Sequence, residues 1–277
     1  MKIAYRQGQR GATLIVVLIL LLLITILGIL AIRTAITSLN IATNSQIGQL
    51  LVQTGDAPTN QFVNVSTYEA LKKADVVIGA AILEHKSAPG KEFIFCYRPT
   101  SAQQMGAALD ATVLVPPAQT DPANTKATID STQSNRSGFC DLEKDFGSAR
   151  SAVVTQVAVR IPTDAANAGI GAYLDRNSDL SENSLVKNSK ASDSRVRITI
   201  TSILPSYSTQ DLSVVQEDCI GSATSVGYIN DNLDEAVAGK KTMAECLSGY
   251  GIPVNTQVQE LVLREREKQI SAPVPTP

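Results

Sequence analysis

No charged residue falls between positions 11 and 32, and almost every side chain in that run is apolar. At a helical rise of about 1.5 Å per residue, positions 12–32 cover roughly 30 Å, the thickness of a bilayer's hydrocarbon core. A removable secretory signal has a shorter apolar core, roughly 7 to 15 residues, and a small-residue exit site. This run is longer and has no such exit, so it predicts a retained membrane helix. Lys2, Arg6 and Arg10 precede it and Arg33 follows. That bias puts the N-terminus in the cytoplasm, weakened slightly by Arg33, and sends the chain beyond it outward. The next stretch, 34–55, is also uncharged, with Ile36, Leu39, Thr43, Ile47 and Leu50 at spacings of three and four. Such spacing marks one helical face, so the helix is expected to continue outward as a single rod over 12–55.

Further on the period changes. Ser66, Thr67, Tyr68 and Glu69 form a capping-box sequence ahead of Ala70, Leu71, Val76, Val77 and Ala80, which predicts a helix of about 18 residues. Positions 92–98 and 112–115 read as short strands. Val153, Thr155, Val157, Val159 and Ile161 alternate with more polar neighbours, and Val196, Ile198, Ile200, Ser202 and Leu204 alternate against Arg195, Arg197, Thr199 and Thr201. These two runs are expected to pair antiparallel. Another strand is predicted around Val254, Thr256, Val258, Glu260 and Val262. The segments 117–150, 163–193 and 221–248 are polar and rich in Gly, Ser and Asn, and read as long loops. The expected fold class is therefore α+β: a long N-terminal helix and an antiparallel head over 56–270, with a proline-rich frayed tail at 271–277. About 220 residues remain after leader and rod, enough for one sizeable core.

The four cysteines, Cys96, Cys140, Cys219 and Cys246, show no C-x-x-C or Cys/His spacing for a metal, and their even number suits disulfides in an oxidising compartment. Of three possible pairings, Cys96 with Cys140 and Cys219 with Cys246 is preferred, because each pair brackets a loop-rich stretch that needs a staple. Asp175, Asn177, Asp179 and Ser181 alternate like the start of a calcium loop, but Leu180 stands in place of the turn glycine and Val186 in place of the closing glutamate. Calcium is not expected there, nor any other cofactor. Gly169-Ile170-Gly171 lacks the third glycine of a dinucleotide site. His85, the single histidine, is expected at the exposed end of the first head helix without catalytic partners, and Asp231, Asp234 and Glu235 read as a solvated charge run. No enzyme follows from these parts. The net charge of −2 becomes −5 without Lys2, Arg6 and Arg10, which gives nucleic-acid binding no footing.

The junction of a short basic leader, Gly11 and an apolar helix resembles the type IV prepilin signal. In that family a membrane peptidase cuts after the glycine and methylates the new N-terminus, which implies a leader at 1–11, Gly11 as the cut site and Ala12 as the mature N-terminus. Two departures stand out: many pilins begin with Phe where this chain has Ala12, and nearly all carry Glu where it has Val16. The wording Gly11-Ala-Thr-Leu-Ile-Val-Val-Leu, Gly28-Ile-Leu-Ala-Ile-Arg33-Thr and Ser38-Leu-Asn-Ile-Ala-Thr-Asn-Ser-Gln46 is similar to minor pilins of the PilX family, especially those of Acinetobacter-like bacteria. Phe95-Cys-Tyr-Arg98, Ile200-Thr-Ser-Ile-Leu-Pro205 and 251–260 extend the likeness into the head. The resemblance implies a minor pilin that primes pilus assembly at or near the tip, held in the inner membrane with a periplasmic head beforehand and extracellular afterwards. Its implied partners are other minor pilins, the major pilin, a large tip adhesin and the prepilin peptidase, with Val16 as the determinant of tip position. The tip pseudopilin of a type II secretion system shares the missing glutamate, and an anchored outward-facing binding module is a third reading.

Overall fold

The computed structural model describes residues 12–64, 68–101, 104–120, 126–132, 135–147, 152–164 and 194–263. The chain divides into two compact units, 1–49 and 50–277. One helix, α1 (Ala12–Val63), supplies the described part of the first and enters the second. The described part of the first unit is helix, with its large apolar side chains from Leu14 to Ile41 exposed. Its threonines close their hydroxyls onto carbonyls of the preceding turn, Thr34 to Leu30 and Thr37 to Arg33 for example, so they ask nothing of the surroundings.

Within the second unit α1 runs to Val63, eight residues beyond the predicted end. Leu51, Gly55, Pro58 and Phe62 are buried at spacings of four, three and four, a stripe that carries the helix through a proline lacking an N–H for the Thr54 carbonyl. A methyl group on Gly55 would come within 3.1–3.2 Å of Gln257 and Ser202, so the helix lies close against the sheet at this position. The predicted 18-residue helix is instead two, α2 (Tyr68–Leu71) and α3 (Val77–His85). Val76 is extended and bridges Ala107, Val77 N–H donates to the Gly106 carbonyl, and Gly79 is pressed so near the Lys73 carbonyl that a Cβ would sit 2.0 Å from it. An unbroken helix could not make that crossing.

Strands β1 (Glu92–Cys96), β2 (Thr112–Val115), β3 (Thr128–Ile129), β4 (Val154–Arg160), β5 (Ser194–Ile203) and β6 (Val254–Leu263) form one antiparallel sheet in the order β3-β2-β1-β4-β5-β6. β4 and β5 pair from Val154 with Ile203 to Arg160 with Arg197, as the matched alternation anticipated. One sheet face packs Phe93, Phe95, Val157, Val159, Ile198 and Ile200 against Phe62, Leu71, Val77 and Ile78 of the helices.

The other face is covered too, which corrects the reading of 117–150 and 221–248 as loops. Ile94, Leu114, Ala158 and Ile203 pack there against Phe139, Cys140, Leu142, Val215, Cys219, Ile229 and Leu247. These come from a lobe that includes α4 (Leu212–Val215), capped by Asp211, a π-helical turn (Gln216–Ile220), a 3-10 turn (Glu235–Val237) and α5 (Met243–Gly249). Disulfides Cys96–Cys140 and Cys219–Cys246, the pairs preferred from the bracketing, staple this layer. The arrangement is pilin-like α+β: a long apolar helix followed by an antiparallel six-stranded head.

Candidate functional site: an apolar helix and a buried ionic junction

The first functional surface is α1 itself over 12–49. It is long and apolar enough to cross a membrane, and it is apolar on every side over its first half. A helix of that kind is stable only in lipid or among other helices. Val16 lies in this run with 61% of its surface open, indistinguishable in environment from the leucines and isoleucines around it. Gly11 lies outside the described residues, as do Asp175, Asn177, Asp179 and Ser181 and the Gly169-Ile170-Gly171 stretch. Ala12 begins the helix.

The second is in the head, where charge is concentrated and buried. Arg160 at the end of β4 and Arg197 on β5 stand opposite each other in register, and both point to the lobe face. Two guanidinium groups so placed repel unless carboxylates intervene. The lobe supplies them. Arg197 donates from Nη1 to Asp234 Oδ1 at 2.6 Å and to Asp231 Oδ1 at 3.3 Å, and from Nε to Glu260 Oε1 of β6 at 2.9 Å. Arg160, 1% exposed, reaches the Asp231 carbonyl at 3.4 Å and approaches Glu92 Oε1 at 3.8 Å. Glu92, fully buried at the start of β1, accepts from both the backbone and the side-chain amide of Asn230 at 3.0 Å. Thr199 donates to Asp231 Oδ2, and the Thr163 backbone N–H donates to Asp234 Oδ2.

Burial pushes the Glu92 carboxyl up, with the Asp231 charge adding to that rise and outweighing Arg160 and the Asn230 donors. Asp234 goes the other way: burial opposes its charge, but the hydrogen bonds from Arg197 and Thr163 and the two guanidinium charges hold it below the usual carboxylate range. Arg197, disfavoured by burial, is nevertheless held more firmly protonated by Asp234, Asp231 and Glu260. The reading of Asp231 and Asp234 as solvated is thereby corrected, since both are buried; Glu235 alone of that run is exposed. This cluster is a polar tie that fixes the lobe to the sheet.

His85 closes α3 as expected but is half-buried rather than exposed. It lines a shallow pocket with Glu84, Lys91, Phe93 and Ile161. Its Nδ1 has no hydrogen-bond partner among the described residues, and burial lowers its pKa against the opposing charge of Asp234. Among the described residues the one grouping of metal-ligand type is Asp218, Cys219 and Cys246, and there the two sulfurs are spent on each other.

Residues 10–57 match the family model described as PilX N-terminal. The matched stretch takes in Arg10, the apolar run, the uncharged stretch 34–55 and Asp56 and Ala57, and stops short of the sheet. No curated protein and no solved structure gives a match. The N-terminal segment is therefore PilX-like by sequence, and a pilin-like anchor carrying a head fits both that match and the fold.

Proposed function

We propose that this chain is a minor pilin that helps to prime type IV pilus assembly and sits at or near the tip, a structural and interaction role without catalysis. The observation that carries the reading is the PilX-like helix that is uncharged throughout its first twenty-one residues, with Val16 where pilins resembling it carry Glu. In a fibre of such subunits, that glutamate meets the N-terminal ammonium of the subunit above. A tip subunit has none above it, so a carboxylate there would sit in lipid or a dry bundle without its partner, at a cost of several kcal/mol. Valine removes that cost, while the Ala12 amine still receives the glutamate of the subunit below. The partners on this reading are other minor pilins, the major pilin beneath and a large tip adhesin, with a prepilin peptidase cutting between Gly11 and Ala12. The same missing glutamate also suits the tip pseudopilin of a type II secretion system.

The deciding experiment is gold labelling of an epitope in the head on intact pili, with mass spectrometry of the sheared fibre fraction. Label at fibre ends and a mature chain beginning at Ala12 are expected. Label spread evenly along the shaft refutes the tip position. A chain that stays in the membrane fraction, or that retains Met1, refutes the pilin reading itself.

A further inference from the structure

The outer side of β6 is a ten-residue strand edge with nothing paired to it among the described residues. Its pairing with β5 is unbroken from Ser194 with Leu263 to Ile203 with Val254, so no bulge bends it away. It contains no proline and no lysine, and its one charge, Glu260, is already held by Arg197. Sheets ordinarily blunt such edges with short strands, prolines, bulges or inward charges. The opposite edge obeys that rule, since β3 is two residues long. We propose that the β6 edge is a docking site for an extended segment of a different exported polypeptide, which adds a seventh strand to the sheet by main-chain hydrogen bonding.

Three features select that occupant. A second copy paired antiparallel through β6 would be related by a two-fold axis perpendicular to the sheet, which reverses every direction in the sheet plane. The Leu50–Val63 stretch of α1, laid on the sheet at Gly55, would then run oppositely in the two copies, so this self-pairing is not open to heads whose α1 stretches run the same way. On the lobe side the exposed residues of the edge are Thr256, Val258 and Glu260, and on the helix side Gln257 donates to the exposed Asp56. The partner segment is therefore neutral or basic, with a β-branched or aromatic residue against Val258 and no acid near Glu260 or Asp56. Val258 is 42% exposed at the middle of the edge, the place for a cross-strand apolar contact. This inference rests on the proposed anchored, outward-facing head, and amide exchange on purified protein reads it apart from any pilus phenotype.

The test begins with a photoreactive phenylalanine derivative at position 258 in cells, with the same group at Leu109, 89% exposed on a loop, as the control. The crosslinked peptide is sequenced, synthesised and added to the detergent-solubilised full chain. The expected result is one segment of another polypeptide that slows exchange of β6 amides at least tenfold without altering β1 or β2. Val258→Lys and Thr256→Lys, each checked for intact disulfides and native β4 protection, should abolish the slowing. Crosslinks only to a second copy, to residues 264–277 of the same chain, or at no more than the Leu109 level would overturn the proposal. So would a peptide that leaves β6 exchange unchanged.

Discussion

Arg197→Ala isolates the ionic junction from the rest of the head. Among the described residues the guanidinium is the one group bonded to Asp231, Asp234 and Glu260 together, and its side chain is 7% exposed. Among the described residues, truncation leaves Asp234 with Thr163 as its hydrogen-bond donor, and Asp231 with Thr199, the Leu233 N–H and a distant Arg160. Removing one partner of a buried ion pair costs about 3–5 kcal/mol, because the remaining charge stays buried. Loss of the half-exposed Glu260 contact adds no more than about 1 kcal/mol. Against a domain stability of about 5–15 kcal/mol the variant should be marginal. The chain has no Trp and seven Tyr, and only Tyr5 lies in the leader, so tyrosine emission during urea unfolding in detergent follows the head while the apolar helix stays intact. The partner test is Asp234→Asn in the Arg197→Ala background, which removes the stranded charge and should recover part of the loss, giving a coupling of about 1–3 kcal/mol. A cost below about 1 kcal/mol for Arg197→Ala, or strict additivity of the two changes, would show that the junction does not hold the lobe.

Glu92 gives a pH signature of opposite sign to Asp234. Its folded pKa is raised, so its contribution is fully present below the unfolded value of about 4.3 and is lost as pH rises through the folded value, whereas that of Asp234 is present above about 3.9 and lost as pH falls below it; Glu92→Gln should flatten the decline of urea midpoint with pH above about 4.3. Thr155 Oγ1 is buried without a hydrogen-bond partner among the described residues, so Thr155→Val should be neutral or raise the melting temperature, and a loss above about 1 kcal/mol would mean that the hydroxyl is satisfied. Replacing both Cys219 and Cys246 by Ser opens a bridge of sequence separation 27 and should cost about 3–4 kcal/mol, read as a lower urea midpoint and faster degradation in the periplasm; an unchanged midpoint contradicts a stapling role.

Three strands were legible because alternation survives in them: β4, β5 and β6 fall within a residue or two of their predicted places. The lobe was not, because its burial comes from covering a polar sheet face rather than from an apolar period of its own. Arg197, Thr199 and Thr201 look like the wet side of an amphipathic strand, yet all three are buried. A signal was present in the paired runs: once β4 and β5 are laid antiparallel, Arg160 falls opposite Arg197, and two facing cations in a sheet call for carboxylates above them. Thr242 and Glu245 offered another, a reciprocal capping box with Thr242 N–H on Glu245 Oε2 at 2.8 Å, inside a stretch read as loop. The broken helix after 66 lay beyond sequence reasoning, since the break is imposed by Ala107 and Gly106 across the fold.

The helix reverses the relation. Its character is complete in the sequence, and folding the single chain adds almost nothing to it, because among the described residues the side chains around Val16 are left exposed. What distinguishes Val16 from Leu14 or Leu18 is therefore not a contact but a missing charge, and a missing charge has an energetic consequence only where an unpaired ammonium or carboxylate would otherwise lie in a dry environment. The head shows the contrary strategy, gathering two arginines with Glu92, Asp231 and Asp234 where each buried charge has an opposite within 4 Å. On the proposed pilin reading, a chain that sets an opposite charge beside each member of this buried cluster and excludes charge from 34–55 as well as from the apolar run would use that part of α1 for neighbours whose identity it does not select by charge. On that reading selectivity would reside in the head, on surfaces such as the proposed β6 edge. A charge introduced at 34–49 should accordingly impair assembly with every partner alike, while one at Val258 should remove a single partner and leave the others.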